Sequence, residues 1–149
     1  MMSRRLAMSL LEKLCRLGLG GMFAYSAWTK IDDPGLFADA VMRYEILPTF
    51  AVGMFSLTLP MVELLAGLAL VLTKWTREAA LLVTGLFVMF IAALGWALAL
   101  GLEIDCGCFG LSSEGGSSEL VVAIVRDLVF VVPSIWLMFR PNSWLWSRP

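Results

Sequence analysis

The sequence predicts an all-α integral membrane protein: a four-helix bundle with a short interfacial helix between its first and second spans. The first observation is composition, since 60% of the 149 residues are hydrophobic and 15% are charged, against roughly 25% charged residues in a typical soluble domain. The second is length, since a helix needs about 20 apolar residues to span a bilayer. Four segments satisfy this requirement, at about 9–28, 49–73, 79–102 and 118–139.

All four segments are predicted to be helices because they are too long for single strands and lack the alternation of a membrane barrel. The connections are short and there is no repeat, so residues 1–149 are expected to form one domain. The first segment resembles a signal peptide in having Arg4 and Arg5 before an apolar run. However, Glu12, Lys13 and Arg16 interrupt that run, so we expect a retained helix.

A further short helix is predicted between the first two spans. Asp33 is suited to cap it, with Pro34 at its first position and Pro48 closing the segment. Its apolar side chains fall on one face: Leu36, Phe37, Ala40, Val41 and Tyr44. We expect this helix to lie flat on the outer membrane surface, with a simple surface connector as the alternative.

The distribution of Lys and Arg predicts the orientation in the membrane. Four spans place both termini and the 73–78 loop on one side, and this side carries most of the basic residues: Arg4, Arg5, Lys13, Lys74, Arg77, Arg140 and Arg148. The opposite side carries Lys30 and Arg43. By the positive-inside rule both termini are cytoplasmic, and the 29–48 and 103–117 loops face outward from a bacterial inner membrane.

Composition also limits the function. The chain has a net charge of −1, which argues against nucleic acid as the main partner. It contains no histidine, which excludes imidazole catalysis and imidazole metal ligation. Its three cysteines are too few for a disulfide scaffold.

Two of these cysteines form the most informative motif. Cys106 and Cys108 are separated by Gly107, which tolerates the unusual backbone angles of a very small disulfide ring. Strained geometry makes a disulfide easier to reduce, so such a pair suits thiol–disulfide exchange better than structural cross-linking. Asp105 disfavours a neighbouring thiolate, whereas Arg126 or the start of the fourth helix would favour one. A nearby thiolate on a partner protein would pass electrons through a mixed disulfide.

Two other interpretations of this motif remain open. Cys106 and Cys108 are also the candidate ligands of a soft metal ion such as Cu(I), Zn or Hg(II), although we expect no resident metal. A structural disulfide is less favoured, because so small a loop gains little closure entropy from cross-linking. Cys15 lies deep in the first helix and is expected to be a small apolar core residue.

Charged residues within the spans are costly and usually pair inside a bundle. Counted down from Trp28 and Thr49, Arg16 and Glu63 lie at similar depths on antiparallel helices. We therefore expect an intramembrane Arg16–Glu63 ion pair. Arg126 and Asp127 also lie within a span. Gly18, Gly20, Gly21 and Gly67 would allow close contact between helices.

These features together resemble a known family. The matching positions are distributed along nearly the whole chain: Arg16, Gly18, Lys30, Asp33-Pro34, Phe37, Leu47-Pro48, Glu63, Gly67, Cys106-Gly107-Cys108-Phe109-Gly110 and Arg126-Asp127. The chain resembles the MauE branch of the DoxX-like four-helix membrane proteins. The Cys-Gly-Cys-Phe-Gly run followed by an Arg in the fourth helix is the more specific part of the match.

The resemblance implies a redox-associated membrane protein, linked in MauE to maturation of the disulfide-rich methylamine dehydrogenase. We expect Cys106 and Cys108 to be the redox pair of a thiol:disulfide oxidoreductase, with Arg126 tuning the thiols. The supporting residues are expected to be Asp105, Gly107, Phe109, Gly110 and Asp127. The expected partner is an extracytoplasmic thioredoxin-like protein or a disulfide-containing client, and a membrane quinone is a candidate electron carrier, although no quinone motif is present. The alternatives are a soft-metal transporter and a non-catalytic assembly factor.

Overall fold

The computed structural model describes residues 2–102 and 117–140 of the chain. These residues form an all-helical structure of five helices, which confirms the predicted fold class. In chain order the helices are α1 (Met2–Asp32), α2 (Pro34–Arg43), α3 (Thr49–Leu72), α4 (Thr76–Ala99) and α5 (Ser117–Met138).

Three helices of the described part are long and apolar enough to cross a membrane. They are α3, α4 and the segment Leu120–Met138 of α5. The first predicted span, at 9–28, lies within α1, which is 31 residues long. Charged residues along α1, including Glu12, Lys13 and Arg16, lower its mean hydropathy. The expected count of four spans is therefore supported for three helices and stays a prediction for α1.

The outer surface of the bundle is suited to lipid rather than water. Large apolar side chains are widely exposed on α3 to α5, and Phe50 and Met54 of α3 and Phe139 just after α5 are each at least three-quarters accessible. A soluble monomer rarely exposes such extensive apolar surface. This surface and the three apolar helices together indicate a membrane protein.

The helices pack mainly as two antiparallel pairs, α1 with α3 and α4 with α5, and α4 also contacts α3. The main core lies between the pairs and includes Leu19, Phe23, Leu70, Val83 and Phe87. The rings of Phe23 and Phe87 meet edge to face, with their centroids 5.0 Å apart. This geometry is favourable for aromatic pairs and joins α1 to α4.

Helix α2 forms where the sequence predicts a short helix. The Asp33 carboxylate accepts a hydrogen bond from the backbone N–H of Leu36 at 3.1 Å, and Pro34 occupies the first turn. Phe37, Ala40 and Val41 are buried, whereas Leu36 is exposed. The helix and its cap are confirmed, and its position at the membrane interface stays a prediction.

Close approach of two glycines fixes the register of α1 against α3. A Cβ atom added at Gly20 would lie 2.8 Å from the carbonyl oxygen of Gly67, and one added at Gly67 would lie 2.7 Å from that of Gly20. Both contacts are with backbone, which cannot easily move aside. At Gly18 and Gly21 a Cβ would meet nothing within 4 Å, so only part of the predicted glycine contact is present.

This difference predicts the effect of adding a methyl group. Gly67→Ala should lower the free energy of unfolding by about 1–3 kcal/mol, because the added carbon overpacks the α1–α3 contact. Gly21→Ala is the matched control and should leave stability unchanged or slightly raised, since alanine has the higher helix propensity. Thermal unfolding in detergent measures both. Equal effects at the two positions would show that α1 and α3 do not approach closely at Gly20 and Gly67.

Candidate functional site

The expected redox motif lies outside the described residues. This applies to its two cysteines and to the residues around them: Asp105, Cys106, Gly107, Cys108, Phe109 and Gly110. The described helices nevertheless fix both ends of the segment that carries the motif. Leu102, after α4, packs with Leu94 and Leu120, and Leu120 is in the first turns of α5. Leu102 and Leu120 therefore lie at the same end of the bundle.

We call this end of the bundle the upper end. It is where α1 and α4 end and where α3 and α5 begin, at Asp32, Ala99, Thr49 and Ser117. Helix α2 also belongs to it, because Tyr44 packs against the same apolar cluster as Leu102.

A buried ion pair joins α1 to α3 in the upper half of the bundle. Lys30 Nζ lies 2.7 Å from Oε1 and 2.8 Å from Oε2 of Glu63, and it donates a third hydrogen bond to Ser26 Oγ at 2.9 Å. Lys30 and Glu63 are almost completely inaccessible. An ammonium has three donors, so these three contacts use all of them.

Two aromatic rings complete the surroundings of the ammonium. Lys30 Nζ lies 5.4 Å from the ring centroid of Phe37 in α2 and 5.1 Å from that of Phe90 in α4. Both distances are within the range of cation–π attraction. The ammonium thus contacts side chains from α1, α2, α3 and α4.

The predicted Arg16–Glu63 pair is wrong, because the carboxylate of Glu63 pairs with Lys30. Arg16 is fully buried and instead donates to backbone carbonyls at the end of α3, from Nε to Leu70 O at 2.8 Å and from Nη2 to Thr73 O at 2.6 Å. The last carbonyls of a helix have no partner within the helix, and a cation is favourable there. Arg16 therefore caps α3.

The register of α1 against α3 explains why the prediction failed. The predicted depths of Arg16 and Glu63 assume that Trp28 and Thr49 lie opposite each other. Because Gly20 opposes Gly67, Arg16 is instead level with the end of α3, and Glu63 is level with the turn of α1 that includes Ser26. The missing signal was Lys30, which was expected on the outer side of the membrane.

A second ion pair lies on α5. Arg126 donates from Nε and Nη2 to Asp127 Oδ1, at 3.0 and 2.8 Å. Asp127 is buried, and its Oδ2 has no hydrogen-bond partner among the described residues. A void of about 10 Å³ is lined by Ser26, Arg126 and Asp127, and Ser26 also accepts a hydrogen bond from Lys30. The two ion pairs are therefore neighbours.

A large cavity opens beside Lys30 between α2, α3 and α4. Its volume is about 660 Å³, and its lining is predominantly apolar. Its walls come from one turn or more of each helix and from the α2–α3 connection: Phe37, Val41, Tyr44, Glu45, Ile46, Leu47, Phe55, Leu59, Met89, Phe90, Ala92, Ala93, Leu94 and Trp96. Lys30 is a basic group in this lining. The cavity lies in the upper half of the bundle.

Cys15 lies far from this region. It is a partly buried free thiol that packs against the main core, as expected for a small apolar residue in the first helix. It lies more than one turn of α1 below Gly20 and next to the capping residue Arg16.

Comparison with known proteins assigns the family. The model of the family "Methylamine utilisation protein MauE" matches residues 8–140, which include all five helices except the start of α1. The chain belongs to the MauE family. This confirms the resemblance based on the sequence motifs.

Two MauE relatives show how far the similarity extends. The methylamine utilization protein MauE of Paracoccus denitrificans is 34% identical over 115 residues, which are 76% of this chain and 61% of that protein. That of Methylophilus methylotrophus is 33% identical over 88 residues, 58% of this chain and 46% of that protein. The chain therefore spans about half to three-fifths of the length of these MauE proteins. No solved structure is significantly similar.

The capping role of Arg16 predicts the effect of removing its charge. Arg16→Met should lower the free energy of unfolding by about 1–3 kcal/mol, because the buried carbonyls of Leu70 and Thr73 lose their charged donor. Arg4→Met is the control, because Arg4 is exposed on the same helix, and it should change stability by less than about 0.5 kcal/mol. Chemical unfolding in mixed detergent micelles measures both. An Arg16→Met protein as stable as the control would contradict the capping role.

Proposed function

We propose that this MauE family member is a membrane thiol–disulfide redox protein. Cys106 and Cys108 exchange electrons with a thioredoxin-like protein or a disulfide-containing client outside the cytoplasm. The observation that carries the proposal is a Cys-Gly-Cys pair in the segment between α4 and α5. The bundle itself contains the buried Lys30–Glu63 pair and the partly accessible Arg126–Asp127 pair. Ionisable groups buried in a membrane protein usually serve function.

The exchange follows from thiol chemistry. A thiolate of the partner attacks one sulfur of the Cys106–Cys108 disulfide, and the other cysteine leaves as a thiolate that takes up a proton. The resulting mixed disulfide is resolved when the second thiol of the partner attacks it. The partner then holds a disulfide, and Cys106 and Cys108 are both thiols. The reverse sequence reduces a client disulfide.

Arg126 is proposed to favour the thiolate form of the pair. It lies nine residues below Ser117, or about 13 Å at the rise of an α-helix, and its guanidinium is partly accessible. Side chains at neighbouring positions of a helix point about 100° apart. The hydrogen bonds to Asp127 therefore hold the Arg126 guanidinium on the side of α5 that lines the void beside Ser26. Asp127 therefore positions Arg126 in this proposal.

The client is proposed from the relatives. The MauE proteins of Paracoccus denitrificans and Methylophilus methylotrophus are named for methylamine utilization, and the resemblance to MauE implies a link to the disulfide-rich methylamine dehydrogenase. A disulfide-rich redox enzyme of this kind is the class of client that an extracytoplasmic dithiol would serve. Matching of the family along α1 to α5 supports a MauE-like role for this chain.

The proposed orientation places both termini in the cytoplasm of a bacterial cell and the upper end outside. Of the two basic residues expected on the outer side, Lys30 is buried against Glu63 and adds no net charge to the surface. The asymmetry between the two ends in exposed basic residues is therefore larger than the sequence suggests. This strengthens the argument from the positive-inside rule.

The orientation predicts which side of the membrane the cysteine pair reaches. A membrane-impermeant maleimide should label reduced Cys106 and Cys108 in intact spheroplasts. Cys106→Ser with Cys108→Ser is the control, because Cys15 is then the only thiol and lies within the bundle. Labelling of the unchanged protein only after the membrane is opened would reverse the orientation.

The redox role predicts a reversible disulfide between the two cysteines. Acid trapping in cells, followed by alkylation with a reagent that adds mass to each free thiol, should show both forms of the pair. The oxidised share should change when a partner oxidoreductase is deleted, and Cys15→Ser should leave this behaviour unchanged. A Cys106→Ser, Cys108→Ser protein that still supports client maturation would instead favour an assembly factor, and metal retained by the purified protein but lost in Cys108→Ser would favour a soft-metal transporter.

A further inference from the structure

The Asp127 carboxylate has one oxygen that none of the described residues satisfies. Its side chain is only 2% accessible, and its Oδ1 accepts both hydrogen bonds from Arg126. Its Oδ2 is buried and has no hydrogen-bond partner in the part of the chain that the structure describes. Burial of an unpaired carboxylate oxygen is costly, because nothing replaces the hydration that it loses. A further hydrogen-bond donor is therefore required at Oδ2.

The void beside this carboxylate has the size of a single water molecule. It is enclosed by α1, α4 and α5, and its volume is about 10 Å³. A buried water needs roughly 10–15 Å³ of such space, so the void is at the lower limit and has no room for a larger molecule. Apart from Ser26, Arg126 and Asp127, its lining is apolar, with one methionine and three phenylalanines: Met22, Phe23, Phe87 and Phe90.

Ser26 provides a second polar group in the same void. Its side chain is buried, and its Oγ accepts a hydrogen bond from Lys30 Nζ at 2.9 Å. A hydroxyl oxygen has two acceptor lone pairs, so the contact with Lys30 leaves one lone pair for a further donor. Buried waters make about two to four hydrogen bonds to polar groups. Asp127 Oδ2 and Ser26 Oγ together meet this requirement.

The chemistry of the lining excludes ions and apolar occupants. An anion would be repelled by the Asp127 carboxylate at close range. A hard cation such as Ca²⁺ takes about six to eight oxygen ligands, whereas the void has oxygen-bearing side chains only from Ser26 and Asp127 among its described lining. Arg126 also neutralises this carboxylate already, at 2.8 Å. An apolar occupant would leave Oδ2 unpaired. An uncharged donor of two hydrogen bonds satisfies the site.

We infer that this void binds one water molecule, which donates one hydrogen bond to Asp127 Oδ2 and another to Ser26 Oγ. Through Ser26 the water connects the Arg126–Asp127 pair of α5 to the Lys30–Glu63 pair of α1 and α3. The four charged side chains then belong to one hydrogen-bonded network that joins the two helix pairs of the bundle. Asp127 is held at both oxygens, which fixes the carboxylate that positions Arg126. The water site requires no thiol chemistry.

A crystal structure of the full chain in a lipid phase, at a resolution that shows ordered waters, tests the site directly. One water peak is expected within roughly 2.5–3.2 Å of both Asp127 Oδ2 and Ser26 Oγ. A void without a water peak, an Oδ2 that is bonded to another protein group, or a peak with the shorter oxygen distances of a metal ion would each overturn the inference.

A pair of matched variants tests whether Ser26 holds the water. Ser26→Ala removes one of its two polar partners, so the water peak should be lost. Ser134→Ala is the control, because Ser134 is also a buried serine but bonds to Val131 O and Thr84 Oγ1 and does not line the void. The peak should remain in this variant. The same result in both variants would overturn the bridge between Ser26 and Asp127.

Unfolding equilibria in mixed detergent micelles test the same bridge in solution. Asp127→Asn keeps an oxygen for Arg126 but replaces the acceptor Oδ2 by a donor, so the water no longer donates to this side chain. When Asp127→Asn is combined with Ser26→Ala, the unfolding constant should differ from the product of the single effects by more than about threefold. The combination with Ser134→Ala should stay below about threefold. Non-additivity no greater with Ser26 than with Ser134 would contradict a shared water.

Discussion

The buried pair of Lys30 and Glu63 is the interaction on which the upper half of this protein depends. Two unit charges placed in an apolar bundle are costly unless each is paired and hydrogen-bonded. Here the ammonium uses all three donors, and the carboxylate accepts with both oxygens. The pair draws contacts from α1, α2, α3 and α4, and a predominantly apolar cavity of about 660 Å³ opens beside it.

The pair forms only because the helices meet in one register. Gly20 and Gly67 allow the backbones of α1 and α3 to touch, and this contact brings Glu63 level with the last turns of α1. The same register carries Arg16 to the open carbonyls at the end of α3. One glycine contact thus determines the partners of three buried charges, and a shift of one helical turn would separate all of them from their partners.

The sequence predicted the elements of this fold better than their contacts. Hydropathy and length predicted α3, α4 and α5, and the Asp33-Pro34 pair predicted α2, because these signals are local. The partner of Glu63 could not be found in the same way, because its depth was counted from an assumed membrane boundary. An error of several residues in that boundary shifts the depth by about 1.5 Å for each residue. Lys30 was assigned to the surface because it follows Trp28 near the end of an apolar run, yet its side chain turns back towards Ser26.

The central claim, that Glu63 is held by Lys30 and not by Arg16, is tested most directly by double-mutant cycles of unfolding free energy. Glu63→Gln is combined with Lys30→Met in one cycle and with Arg16→Met in the other. Residues in one buried pair show coupling of about 0.5–3 kcal/mol, whereas separate sites add within about 0.5 kcal/mol. The Lys30–Glu63 pair predicts strong coupling between positions 30 and 63 and additive effects at 16 and 63. Strong coupling at 16 and 63, with additive effects at 30 and 63, would contradict it.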